Sequence, residues 1–91
     1  MLEKRDFYID GAWVAPAKPN DHHVIDPSTE EPCAVISLGG QEDTDKAVAA
    51  AKAALPGWMA TPPEERIALL EKLLEVYNER AEDLAKAMSL E

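Results

Sequence analysis

The sequence predicts an α+β segment in which a β-meander of short strands, residues 1–40, precedes three helices in residues 41–91. Prolines and β-branched residues concentrate before Gly39 and Gly40, whereas apolar residues at three- and four-residue spacing follow them. The length of 91 residues allows one small domain at most. We therefore treat residues 1–91 as a single segment without an internal domain boundary.

The composition excludes several classes of protein. Nine Lys and Arg residues against eighteen Asp and Glu residues give a net charge of −9, and an acidic surface repels phosphate backbones and anionic lipid heads. No apolar run approaches the roughly 20 residues that cross a bilayer, and the first residues contain no apolar signal region. The single cysteine, Cys33, excludes an internal disulfide. We expect a cytoplasmic protein that binds neither nucleic acid nor membranes.

Four short strands are predicted in the first half. An Asp-Gly pair between β-forming residues is a strong hairpin signal, because glycine accepts a positive φ without steric cost. Asp10 and Gly11 form such a pair and predict the first hairpin. Prolines separate the later strands, since they cannot donate ladder hydrogen bonds. The predicted strands cover residues 7–9, 13–14, 22–26 and 33–38.

Three helices are predicted in the second half. The first begins at Gln41 and ends at Pro56 and Gly57, because proline and glycine are typical of a helix end. Thr61 suits the N-cap of the second helix, with Pro62 in its first helical position. These signals predict two separate helices on either side of residues 56–61.

The second helix carries an apolar stripe from Ile67 to Tyr77. A third helix is predicted over residues 80–91, with the joint at Asn78 or Glu79. No glycine, asparagine or proline stop signal follows, so the sequence is expected to end within a helix.

The chemistry-bearing residues do not form a recognisable catalytic or cofactor-binding pattern. Cys33 has no base or helix amino end adjacent in sequence, which favours a packing role over that of a nucleophile. His22 and His23 are neighbours on a predicted strand and point to opposite faces, so they cannot share one metal ion. Gly39 and Gly40 lack the spacing and the lysine of a phosphate loop. We assign no catalytic and no cofactor-binding residue.

Three motifs, in this order and at these separations, carry a resemblance. They are YIDGAW at residues 8–13, VIDPSTEE at residues 24–31 and EDTDKAVAAA at residues 42–51. Together they resemble the amino-terminal segment of the NAD(P)-dependent aldehyde dehydrogenase superfamily, and the resemblance extends over nearly the whole chain. Each motif alone is weak, but the ordered set is specific.

The resemblance implies a structural segment of a much longer oxidoreductase. Members of the superfamily bind NAD or NADP in a Rossmann-like α/β cofactor domain, onto which this segment packs, and form oligomers. They oxidise an aldehyde to a carboxylic acid with a nucleophilic cysteine, a general-base glutamate and an oxyanion-holding asparagine, all downstream of the matched region. Cys33 is thus not the nucleophile. The implied partners are the remainder of the dehydrogenase chain and further copies in a homo-oligomer.

The resemblance also implies one candidate metal ligand, the backbone carbonyl of Ile25, where several relatives bind a structural monovalent cation or Mg²⁺. Two positions depart from the pattern, since Asp26 replaces the usual asparagine and Val24 stands where relatives often carry a hydroxyl. Hard cations need about six oxygen ligands, so the rest would lie downstream. The alternative is an ordinary carbonyl at a strand end.

A second hypothesis belongs to another class of function. The chain could be a freestanding small acidic α+β interaction module that binds a protein partner through the stripe from Ile67 to Tyr77. That hypothesis predicts a stable folded product of 91 residues, whereas a dehydrogenase segment would expose the same stripe when separated from its enzyme.

Overall fold

The computed structural model describes residues 1–91 and contains five strands followed by two helices. The α+β class predicted from the sequence is confirmed, with the strands before Leu38 and the helices after Gly40. The elements are β1 (Leu2–Lys4), β2 (Phe7–Ile9), β3 (Ala12–Val14), β4 (Asp21–Asp26), β5 (Glu31–Ser37), α1 (Gln41–Ala60) and α2 (Pro63–Leu90).

The strands form two sheets, not the predicted four-stranded meander. A three-stranded sheet has the order β1-β5-β4, with β5 parallel to β1 and antiparallel to β4. A separate two-stranded sheet pairs β2 with β3. The sequence pattern missed β1 because its three residues pair with a strand distant in sequence, with Leu2 opposite Ala34.

The hairpin predicted at Asp10 and Gly11 is confirmed. Ile9 pairs with Ala12, so the loop between β2 and β3 has two residues. Asp10 and Gly11 both have positive φ, 53° and 76°, as a type I′ turn requires. This turn matches the right-handed twist of the flanking strands and fixes their register.

Helix α1 continues through Pro56, so the predicted end at Pro56 and Gly57 is wrong. Proline removes one hydrogen-bond donor, but only one further turn follows it. Thr61, the residue after the helix, closes that turn, because its amide donates to the Trp58 carbonyl at 3.1 Å. The Thr61 hydroxyl also donates to the Gly57 carbonyl at 2.9 Å.

Thr61 is therefore the C-cap of α1, not the N-cap of α2. Helix α2 has Pro62 as its N-cap, and no side chain bonds to the free amides there. The Pro62 carbonyl accepts from the amides of Glu65 and Arg66 at 3.1 and 3.2 Å. A proline still occupies the first helical position, as predicted, but it is Pro63.

The predicted third helix is also wrong, since α2 passes through Asn78 and Glu79 without a break. Neither residue is a strong helix breaker, because asparagine costs only a fraction of a kcal/mol, about 0.7 at most, relative to alanine. Ion pairs three or four residues apart continue beyond the expected joint, with Arg80–Asp83 at 3.9 Å and Glu82–Lys86 at 3.7 Å.

The interior of these 91 residues is very small. Val35 is the one buried apolar residue, and it lies at the centre of β5, opposite Glu3 of β1 and His23 of β4. The radius of gyration is 16.9 Å, whereas a compact domain of this length would have about 12 Å. Neither helix combines the length and the apolar character that crossing a membrane would require. The elements thus form an open layer, not a closed globule.

Candidate functional site

The structure does not bring the titratable side chains together into a metal-binding cluster. No group of three or more His, Cys, Asp or Glu side chains is placed to hold a metal ion. His22 and His23 lie opposite Ile36 and Val35 of β5, at successive positions of β4. Their side chains therefore leave the sheet on opposite faces.

Cys33 lies half-buried on β5, with carbonyl oxygens as its polar neighbours. Its sulfur donates to the Val24 carbonyl at 3.4 Å and lies 3.9 Å from the carbonyl of Leu90, near the end of α2. Neither partner is a base that could remove the thiol proton. This placement agrees with a packing role and joins the sheet to the last turn of α2.

Ile25, the predicted cation ligand, lies on β4 directly after a register shift between Val24 and Ile25. Its ladder partner is Pro32, which has no amide proton to donate. The following residue, Asp26, uses its side chain within the turn, since its Oδ1 accepts from the Ser28 amide at 2.8 Å. Residues 1–91 therefore offer one candidate backbone oxygen here and no carboxylate cage around it.

The best-organised polar contact in the structure is that of Asp43, in the first turn of α1. The residue is only 8% exposed. Its Oδ1 accepts from the Ala17 amide at 2.9 Å, and its Oδ2 accepts from the Gly40 amide at 3.1 Å. One carboxylate thus joins the amino end of α1 to the loop between β3 and β4.

These two amides also determine the protonation of Asp43. They lower the pKa of the carboxyl because they bond to its charged form, and the Ala17 amide has the larger effect. Partial burial opposes the shift, while the positive charge of Lys46 one helical turn away adds to it. Asp43 is therefore charged at neutral pH, and both of its oxygens are occupied as acceptors.

A second charged contact lies at the surface between the two sheets. Arg5, in the link between β1 and β2, donates from Nε to both carboxylate oxygens of Asp21 at 3.1 and 3.2 Å. Its Nη1 lies 3.3 Å from Glu3. The hydrogen bond to Asp21 raises the pKa of the guanidinium most, followed by that to Glu3. The contact is exposed and fixes the start of β4 beside the β1–β2 link.

The largest unexplained feature is apolar. Helix α2 has no buried residue, and Leu70 and Leu74, in the middle of its stripe, are 61% and 58% exposed. Helix α1 adds Val48, Leu55 and Trp58, each about half exposed. We name nine large exposed apolar side chains that precede the final residue of α2 the α2 apolar face: Ile67, Leu69, Leu70, Leu73, Leu74, Val76, Tyr77, Leu84 and Met88.

Two polar atoms are also buried without a partner within residues 1–91. They are the hydroxyl oxygen of Ser37, at the end of β5, and Nε of Arg66, in the first turn of α2. Folded proteins satisfy nearly all such atoms. Both atoms are already covered by residues of this segment, so, unlike the α2 apolar face, they do not indicate a further packing surface.

Sequence reasoning missed the role of Asp43. Acidic residues in the first turn of a helix commonly complement the helix dipole, so the pattern alone gives Asp43 no further role. The local signal was available, because an acidic residue three positions after Gly40 can bond back to the N-cap amide. The bond to Ala17 left no such signal, since it joins residues far apart in sequence.

Comparison with known proteins agrees with the motifs and with this open architecture. The model of the aldehyde dehydrogenase family matches residues 13–91. A 3-succinoylsemialdehyde-pyridine dehydrogenase of a Pseudomonas species is 41% identical over all 91 residues. A malonate-semialdehyde dehydrogenase of Shouchella clausii is 37% identical over 84 residues, 92% of this chain. The chain spans 19% and 17% of the lengths of these two relatives.

Solved structures confirm the arrangement of the elements. An aldehyde dehydrogenase from Bartonella henselae superimposes with a TM-score of 0.97 at 56% identity, over 99% of this chain and 19% of its own. A variant of aldehyde dehydrogenase C from Pseudomonas syringae, in complex with NAD⁺ and octanal, gives a TM-score of 0.92 at 46% identity, over 94% and 18%. The chain therefore belongs to the aldehyde dehydrogenase family and corresponds to its amino-terminal region.

Proposed function

We propose that residues 1–91 are the amino-terminal structural part of an NAD(P)-dependent dehydrogenase that oxidises an aldehyde to a carboxylic acid. The observation that carries the proposal is the α2 apolar face, exposed in a chain that spans 17 to 19% of its relatives. Monomeric soluble proteins rarely expose so large a continuous apolar surface. A freestanding interaction module is not favoured, because the match follows the dehydrogenases along the chain.

The structural role follows from where the apolar side chains lie. Helix α2 is about 42 Å long at 1.5 Å per residue, and its apolar residues recur along this length. Burying one leucine side chain contributes roughly 1.5 to 3 kcal/mol. Covering the α2 apolar face would stabilise the segment far more than Val35 alone does. We propose that the Rossmann-like cofactor domain of the same enzyme supplies this cover.

The start of α1 does not fit the phosphates of a dinucleotide. The amino end of α1, which follows two glycines, would be the natural place for a phosphate. The Asp43 carboxylate occupies that end and already accepts from the Gly40 amide. We propose that NAD or NADP binds to the remainder of the enzyme, where it accepts a hydride. The NAD⁺ complex of the Pseudomonas syringae relative supports this choice of cofactor.

Three further properties stay predictions. A cation at the Ile25 carbonyl requires about five more oxygen ligands from the remainder of the enzyme. Assembly into a homo-oligomer and a cytoplasmic location belong to the same proposal. We further propose that residues 1–91, with strands up to 40 and helices beyond, form one segment and not a complete domain.

The test is the intact mass of the purified protein together with NAD⁺- and NADP⁺-dependent oxidation of aldehydes by the same sample. We expect a mass several-fold above 10.0 kDa and formation of NADH or NADPH. A folded, monomeric product of 10.0 kDa without activity would contradict the proposal and would support the interaction module instead.

A further inference from the structure

The loop between β3 and β4, residues 15–20, has few ways to attach itself to the fold. Pro16 and Pro19 have no amide proton. At its far end, the Asn20 carbonyl accepts from the Leu38 amide at 2.9 Å. Nearer its start, the Ala17 amide donates to Asp43 at 2.9 Å. These two hydrogen bonds hold the loop, which we name the strap, against the junction between β5 and α1.

We propose that Asp43 is the latch of this strap, so that loss of its carboxylate releases the part around Ala17 from α1 while the sheet, the helix and the bond between Asn20 and Leu38 remain. An N-cap interaction alone would need only the bond to Gly40. The second oxygen instead holds an amide 26 residues away in sequence. Both bonds are partly buried, which limits the access of water to the carboxylate and strengthens its hydrogen bonds.

The neighbouring hairpin has an attachment of a different kind. The Phe7 ring on β2 packs on Gly39, where an added Cβ would lie 3.4 Å from the end of that ring. This apolar contact does not depend on the hydrogen bonds that the Asp43 carboxylate accepts. The β2 side of the hairpin is therefore held by packing, and the chain after β3 is held by the latch. Opening the latch should consequently mobilise the strap and leave Phe7 in place.

The test uses Asp43→Asn in the full dehydrogenase, followed by hydrogen–deuterium exchange. The amide side chain keeps the shape but offers one acceptor where the strap and Gly40 need two. We expect exchange at Ala17 to accelerate by about tenfold or more, since hydrogen bonds to charged groups shift local equilibria by at least that factor. Amides of β4 and β5 should exchange at the wild-type rate.

Asp45→Asn is the matched control. It makes the same substitution two residues further along α1 and removes the same charge. Asp45 bonds only to the side chain of Gln41, at 2.8 Å. We expect no change in the exchange of the strap in this variant.

A second variant, Ala17→Pro, removes the donor of this hydrogen bond and not its acceptor. It provides the test if Asp43→Asn does not fold. It deletes the amide that donates to Asp43 and leaves the bond to Gly40 intact. We expect higher crystallographic B-factors for residues 18–20 relative to β5. Unchanged B-factors in that variant, or faster exchange of only the Gly40 amide in Asp43→Asn, would overturn the proposal and leave Asp43 as a helix cap. Neither readout depends on dehydrogenase activity.

Discussion

The strand region and helix α2 differ in how much of their stability they supply themselves. In the strand region and the first turn of α1, Val35, Ser37 and Asp43 are buried, and ladder bonds and the Asp43 carboxylate join distant residues. Helix α2 buries none of its residues and touches the sheet mainly through the contact between Leu90 and Cys33. One region is held by hydrogen bonds within these residues, whereas the other has few contacts within them.

This difference determines where a substitution will act. A change at a turn of the strand region acts on bonds that residues 1–91 already contain. A change on the α2 apolar face acts only when the remainder of the enzyme covers that face. Substitutions in the two regions should therefore be compared in the full-length protein, where the proposed cover of the α2 apolar face can be tested.

The largest effect is expected for Leu74→Asp on the α2 apolar face. If the enzyme covers this side chain, an unpaired charge is placed in an apolar interface, at a cost of about 3 kcal/mol or more. Thermal unfolding of the full protein measures the loss. Lys72→Gln is the control, because it changes the net charge by the same amount and disturbs only an exposed pair with Glu75, at 3.3 Å. Equal melting of the two variants would show that the face stays uncovered.

Gly11→Ala should have the next largest effect, now within the strand region. Gly11 has a φ of 76°, and an L-residue in this conformation costs about 1 to 2 kcal/mol. Nothing lies within 4 Å of the added Cβ, so the cost comes from the backbone alone. Urea unfolding measures the expected loss. A wild-type midpoint would mean that the turn is not of the type I′ form.

Gly57→Ala should act in the opposite direction. Gly57 lies within α1, and its added Cβ also meets nothing within 4 Å. Alanine in a helix is favoured over glycine by about 0.5 to 1 kcal/mol. We expect a higher urea midpoint than that of the wild type. A lower midpoint would show that the remainder of the enzyme packs closely against this position.

Thr61→Ala should have a smaller effect than a lost N-cap. The hydroxyl donates to the Gly57 carbonyl at 2.9 Å and serves the end of α1. Its removal should cost about 0.5 to 1 kcal/mol, since that carbonyl is exposed and can bond to water. Thr61→Ser keeps the hydroxyl and serves as the control in the same unfolding experiment. If Thr61→Ala lowered hydrogen-exchange protection only in the first turn of α2, Thr61 would be the N-cap of α2, as the sequence predicted.

The smallest effect on stability near neutral pH is expected from protonation of Asp43. Its pKa is lowered in the folded state, so its contribution to stability is complete above the ordinary aspartate range and is lost as the pH falls through the lowered value. We expect the difference in melting temperature between wild type and Asp43→Asn to stay constant down to that range and then shrink. Lys46 is the charged side chain that acts on this carboxylate, and it helps to lower its pKa. A difference that already shrinks near neutral pH would contradict this assignment.

Local sequence signals predicted the elements that depend on neighbouring residues. Turn chemistry and the change of hydrophobic period predict the turn at Asp10 and Gly11, the approximate bounds of β4 and β5, and the start of α1 at Gln41. The pattern could not reveal β1, because three residues pair with a strand more than thirty positions away. The bond from Ala17 to Asp43 is non-local in the same way.

The errors in the helices have a different cause. Pro56 and Thr61 carry ordinary end and start signals, but bonds from Thr61 to Trp58 and Gly57 let α1 run one turn further. No stop residue is present at Asn78 and Glu79, so the pattern could not justify a joint there. Family membership was accessible from the ordered motifs, whereas the latch at Asp43 required three-dimensional geometry.

The parallel pairing of β1 with β5 has a consequence for the order of folding. The β2–β3 hairpin closes over a two-residue loop, an event that takes about 1 to 10 μs in isolated hairpins. The pairing of Leu2 with Ala34 instead closes a much longer loop, and closing a longer loop costs more entropy and is slower. We therefore expect β1 to stay unpaired until β5 is available. We expect the hairpin to form early and the pairing of β1 with β5 to complete the three-stranded sheet later.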